Sequence, residues 1–154
     1  MKKTIVLMFA GSLVVAPLAM AKGSMDDAEK ALQAGTDYGI SQFTSIEFDD
    51  DGHSPVELEG WVDEEWYVEL DVTLDGSIER EQRRKHSGEA GGATAEEIRT
   101  YLASSREQGL AHVEEIDVRS NGGIEIEGEG QDGREVELVF RPGNNGPVRV
   151  ERER

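Results

Sequence analysis

Apolar and polar positions alternate along much of the chain. The clearest case is Val56-Glu57-Leu58-Glu59-Gly60, which recurs sixty-eight residues later as Ile124-Glu125-Ile126-Glu127-Gly128. Period-two alternation sends successive side chains to opposite faces of a β-strand, so each copy predicts an aliphatic face toward a core and a carboxylate face toward water. The same pattern predicts strands over 44–49, 66–72, 113–119 and 134–140. Two more strands are expected after Asp75-Gly76 and Asn145-Gly146, with Ile78 and Val148 facing inward. Asp63-Glu64-Glu65, Gln131-Asp132-Gly133 and the stretch from Asp49 to Ser54 have the Asp and Gly content that tight turns use.

Two helices precede the strands. Ser24 with Asp27, and Thr94 with Glu97, each form a capping box at a helix start. The first helix should run through Ala28, Ala31 and Leu32 and stop near Gly35; the second should run through Ile98, Tyr101 and Leu102 to about Gln108. Ala28 and Ile98, Leu32 and Leu102, Ile40 and Leu110, Phe43 and Val113, and Ile46 and Ile116 are all seventy residues apart. The chain is therefore an internal repeat, with a turn two residues shorter in the second copy. The expected fold is α+β: two tandem α-β-β-β-β units, each a helix packed on an antiparallel sheet. Unit 1 occupies 22–82 and unit 2 occupies 94–154. The polar segment 83–93 between them begins with the basic cluster Arg83-Arg84-Lys85-His86.

Composition changes the picture in two ways. Lys2 and Lys3, a short apolar run from Ile5 and the small residues Ala19 and Ala21 read as a cleavable leader over 1–21. The cut is expected after Ala21, and the product is expected in the periplasm or secreted. The leader takes 2 of the 16 basic residues and none of the 33 acidic ones, so the mature chain carries 14 against 33, a net charge of −19. Such a surface repels nucleic acid and anionic lipid, which excludes both as expected partners. It fits solubility in a salty medium, a cation, or a basic protein surface. With no cysteine, the fold must hold by packing alone.

Beyond the repeat, the first helix, the approach Gly39-Ile40 to Phe48, the Val56–Gly60 segment and the run Trp66 to Ile78 (WYVELDVTLDGSI) resemble the PepSY domain family and its small exported members. Glu135 to Val148 resembles the same segment, except that Arg141 and Pro142 stand where an acidic turn residue is usual. The resemblance implies a fold similar to the tandem-repeat β-lactamase inhibitor protein. It also implies a protein- or peptide-binding role, with a peptidase as one partner class, and it brings no catalytic residues and no cofactor.

Strand parity places Glu57, Glu59, Trp61, Tyr67, Glu69 and Asp71 on one open face, with Glu125, Glu127, Glu129, Glu135 and Glu137 on its counterpart. These are the candidate partner-binding residues, apart from Glu129, which only extends the acidic face. Like charges facing each other across strands oppose folding unless something offsets them. A basic partner would do so, as would weakly bound divalent cations. Trp61 and Tyr67 read either as anchors for a partner or as a pair packed on each other across the hairpin. Trp66 falls on the core side. Asp49-Asp50-Asp51-Gly52-His53 lacks the ligand spacing of a calcium loop and reads as a turn, and no metal site is expected. No nucleophile elbow, phosphate loop or zinc-binding HExxH motif occurs, so no catalytic residue is assigned and no enzyme is expected.

Overall fold

The structure, a computed structural model, describes residues 21–49 and 55–153. A short strand β1 (Gly23–Ser24) leads into helix α1 (Met25–Tyr38), followed by β2 (Gln42–Phe48), β3 (Val56–Trp61), β4 (Trp66–Val72) and β5 (Ile78–Lys85). Helix α2 (Ala95–Glu107) opens the second half, followed by β6 (Leu110–Val118), β7 (Ile124–Gly130), β8 (Glu135–Phe140) and β9 (Arg149–Arg152). Both capping boxes form. The Ser24 and Thr94 hydroxyls accept from the Asp27 and Glu97 N–H groups, and those carboxylates accept from the cap backbone in return.

The strands make one nine-stranded antiparallel sheet in the order β5-β4-β3-β2-β6-β7-β8-β9, with β1 beside β6. This overturns the expected two tandem α-β-β-β-β units with a sheet apiece: the molecule is mostly one sheet carrying two short helices. The joint is β2 against β6, through the pairs Ser45 with Asp117, Ile46 with Ile116, and Glu47 with Glu115. A seventy-residue shift converts Ser45 to Glu115 and Glu47 to Asp117, so the outer pairs exchange and a pseudo-twofold axis passes through the Ile46–Ile116 pair. The physical reason is edge pairing. Each half would present a first strand with an open row of N–H and C=O groups, and two such edges satisfy one another.

The lead-ins to the helices are exchanged as well. Gly23 pairs with Val113 of β6, while Ala93 bridges to Phe43 of β2, so each helix enters beside the other half's first strand. Both helices lie on one face of the sheet and share one core. Ala28, Leu32, Ile98 and Leu102 join Phe43, Ile46, Leu58, Leu70, Ile116, Ile126, Leu138 and Phe140 in a continuous buried cluster. Helices of 14 and 13 residues are marginal alone in water, so this packing is what holds them.

Local departures have steric causes. Helix α1 passes Gly35, the expected stop, because a Cβ there would lie 2.5 Å from the Phe43 ring; Gly35 is a packing glycine. The helix ends at Gly39, whose φ of 118° lies in the left-handed region. Ile78 and Val148, expected inward, are 42% and 43% exposed. They stand at the sheet margins, while the contacts of α1 and α2 concentrate on inner strands. Strand β5 runs through Lys85, so Arg83, Arg84 and Lys85 belong to an edge strand rather than to the connecting segment. Residues 1–20 of the expected leader over 1–21 and turn residues 50–54 lie outside the described residues.

Candidate functional site

Among the described residues no layer covers the sheet face opposite the helices, and its register aligns acidic side chains across the strands. Asp71 of β4 stands beside Glu57 of β3, which stands beside Glu47 of β2. Glu47 pairs with Glu115 across the joint, and the row continues through Glu127, Glu137 and Glu151 on β7, β8 and β9. Seven strands therefore contribute one carboxylate each. At the usual interstrand spacing of about 4.8 Å the row is roughly 29 Å long. A second row holds Glu69, Glu59, Ser45, Asp117 and Glu125.

The ends of these rows are neutralised and the middle is not. Arg80 on β5 reaches Asp71 at 2.6 Å and Glu69 at 3.5 Å. Arg149 on β9 pairs with Glu137 and lies 3.4 Å from Glu151, and Arg119 pairs with Glu125. Among the described residues, no cation pairs with Glu47, Glu57, Glu115 or Glu127. The Glu57 carboxyl is held above the usual range by burial first and then by Glu69, Glu59, Asp71 and Glu47. Glu115 is raised likewise by burial, Glu47, Glu127 and Asp117. Both shifts report a face on which charge is costly.

Outward parity holds for the whole candidate set, but the two halves differ in kind. In the first half Trp61 and Tyr67 pack edge to face, with ring centroids 5.2 Å apart, and His86 closes on Trp61 at 5.1 Å. Trp61 is 6% exposed, so its ring is a packing element of this face rather than a free anchor. The Tyr67 hydroxyl donates to Glu59 and lies 2.7 Å from the Thr44 hydroxyl; burial first, then Glu59, push its pKa up to about 12. Trp66 is half-buried beneath the Arg83 guanidinium, 5.1 Å from the ring centroid, rather than in the core.

At the repeat-equivalent positions the second half places Glu114 for Thr44, Glu129 for Trp61 and Glu135 for Tyr67. There a shallow groove of about 250 Å³ is lined mainly by acidic side chains, among them Glu114, Glu127, Glu135, Glu137 and Glu151, with Arg152 also on its wall. Burial, then Glu135, raise the Glu114 carboxyl. Lys22 pairs with Glu129, and His112 Nδ1 lies 3.8 Å from the same carboxylate. Glu125, Glu127 and Glu137 each offer an oxygen within 4.8 Å of the others, although Arg119 and Arg149 already engage two of the three.

Sequence parity missed the centre of the row. Glu47, Glu115 and Glu151 alternate with Ile46, Phe48, Ile116 and Val150, so the signal was present. Their importance comes from the joint and from β9, which no single-strand pattern announces. Glu114 was hidden because a register shift between Val113 and Glu115 adds it to the open side. Among the described residues, no helix is long and apolar enough to cross a membrane. No protein-family model matches this sequence, no curated protein matches it, and no solved structure matches the fold.

Proposed function

We propose that this chain is an exported, non-enzymatic binding protein related to PepSY domains, and that its uncovered sheet face takes a basic protein or peptide surface. The observation that carries this reading is the seven-carboxylate row, whose four central members have no cation partner among the described residues. Apposed like charges cost about 0.2–1 kcal/mol per cross-strand pair. A partner bearing Lys or Arg side chains relieves that cost on binding, which makes affinity steeply salt-dependent. The sequence likeness to PepSY supports binding over catalysis and names a peptidase as one partner class.

Calorimetric titration with decalysine and decaglutamate at two salt concentrations tests the reading. Saturable binding of decalysine alone is expected, lost at high salt and weakened at least about tenfold in a Glu57→Gln/Glu115→Gln/Glu127→Gln variant. Equal binding by that variant would refute it. The triad of Glu125, Glu127 and Glu137 favours a second reading, divalent-cation binding. Saturable calcium heat at fixed ionic strength, abolished by Glu127→Gln, supports it; no heat removes it.

A further inference from the structure

The edge strand β5 has chemistry opposite to that of the face beside it. All eight of its residues are exposed, and among the described residues its only strand neighbour is β4. The His86 N–H donates to the Glu65 carbonyl at 2.9 Å, which fixes the phase of the ladder. In an antiparallel pair the bonded positions alternate, so the backbone groups of Glu81, Arg83 and Lys85 point away from the sheet. That edge is an open template for another strand.

Its side chains select what is added. In a chain with 33 acidic and 16 basic residues, Arg83 and Arg84 form no ion pair among the described residues. Each guanidinium lies over an aromatic ring instead, Arg83 at 5.1 Å from Trp66 and Arg84 at 4.9 Å from Tyr67. Being consecutive in a strand, they project to opposite faces of the sheet, held in place with their donor edges unspent.

We propose that β5 is a docking edge for an extended acidic peptide segment, which adds as a further strand with adjacent carboxylates opposite Arg83 and Arg84. Backbone bonds to Glu81, Arg83 and Lys85 supply register-fixed affinity, and the two guanidiniums supply the preference for acid. The edge borders the acidic face at its neutralised end: Arg84 projects on that side over Tyr67, beside the Asp71 and Glu69 carboxylates that Arg80 engages, and Arg83 projects on the helix side.

The test uses the mature chain and a ten-residue peptide, Thr-Val-Thr-Val-Asp-Asp-Val-Thr-Val-Thr, beside its Lys-Lys counterpart. One-to-one binding of the Asp peptide is expected, at least about tenfold tighter than the Lys peptide, with slowed hydrogen exchange confined to the Glu81, Arg83 and Lys85 amides. Glu81→Pro removes an outward N–H without touching the bonds to β4 and should abolish binding, while Glu81→Ala should retain it. Arg83→Glu with Arg84→Glu should reverse the peptide preference, which keeps the proposal testable if the proline variant does not fold. Equal affinity for the two peptides, or full binding by a folded Glu81→Pro variant, overturns it. Self-association of the protein alone that vanishes in Glu81→Pro also overturns it, by making a second copy the occupant.

Discussion

Replacing Glu115 by Gln is expected to stabilise the protein, although it removes a charge from the open sheet face. Glu115 sits at the joint of the two halves, directly opposite Glu47 on one side and Glu127 on the other, and no side-chain hydrogen bond or cation among the described residues compensates it. Two like-charge pairs at about 0.2–1 kcal/mol each give a gain of about 1 kcal/mol on neutralisation. For a chain of this size that is a rise in Tm of roughly 3–5 °C. The sign with pH follows from the raised carboxyl of Glu115. A group whose folded pKa exceeds its unfolded value contributes stability fully present below the unfolded value, about 4.3, and lost as pH rises through the folded one. The parent and Glu115→Gln should therefore be nearly equal at pH 3.5 and diverge by pH 7. Asp27 and Asp75, whose carboxyls are lowered by hydrogen bonds to Ser24 and to Thr73, act with the opposite sign but cancel in the difference. Urea denaturation at both pH values, in 0.1 M and 1 M salt, is the assay; screening should shrink the difference at high salt. A destabilised variant, or a gain indifferent to pH and salt, would refute the reasoning.

Gly35→Ala should lose about 1–3 kcal/mol in thermal melts despite better helix propensity, because the added methyl meets the Phe43 ring at 2.5 Å. Ser24→Ala should cost about 1 kcal/mol at pH 7. That penalty should fade as pH drops through the lowered Asp27 carboxyl, since protonation ends the charged half of the box. Tyr67→Phe leaves Glu59 and Thr44 without their partner and should cost about 1 kcal/mol at neutral pH. The parent should also lose a share of stability between about pH 10 and 12, as Tyr67 ionises more readily unfolded than folded, and the Phe variant should lose only the part that comes from Tyr38, whose pKa burial also raises. Urea transitions followed by tryptophan emission, which reports Trp61 and Trp66 in the first half, and by far-ultraviolet circular dichroism of the whole chain should coincide, because one core and one sheet unfold together. Two separated transitions would contradict the continuous sheet.

The alternation of Val56 to Gly60 and Ile124 to Gly128 made both strands legible, and parity alone assigned Glu57, Glu59, Glu125 and Glu127 to the open side. Capping chemistry located both helix starts to the residue. What stayed hidden depends on backbone edges and on distance. Side-chain periodicity says nothing about whether β2 pairs with β6, so one sheet could not be told from two. Gly35 reads as a helix stop in one dimension and as a close approach to Phe43 in three. Ile78 and Val148 carry the inward phase of their strands but stand where no helix covers the sheet. The carboxylate row is legible only after the joint is known, because four of its members lie in one half and three in the other.

The exchange of lead-ins also bears on the order of assembly. Gly23 finds its partner at Val113, ninety residues further along, and Phe43 waits fifty residues for Ala93. A chain emerging from its N-terminus can make the hairpins of its first half early, but it cannot seat the entrance to α1 until β6 exists. Such distant closures slow folding, since loop-closure entropy is lost before the contacts return it. The molecule is therefore built to remain incomplete until almost three-quarters of the chain is available, and its first helix is an element of late consolidation rather than of nucleation.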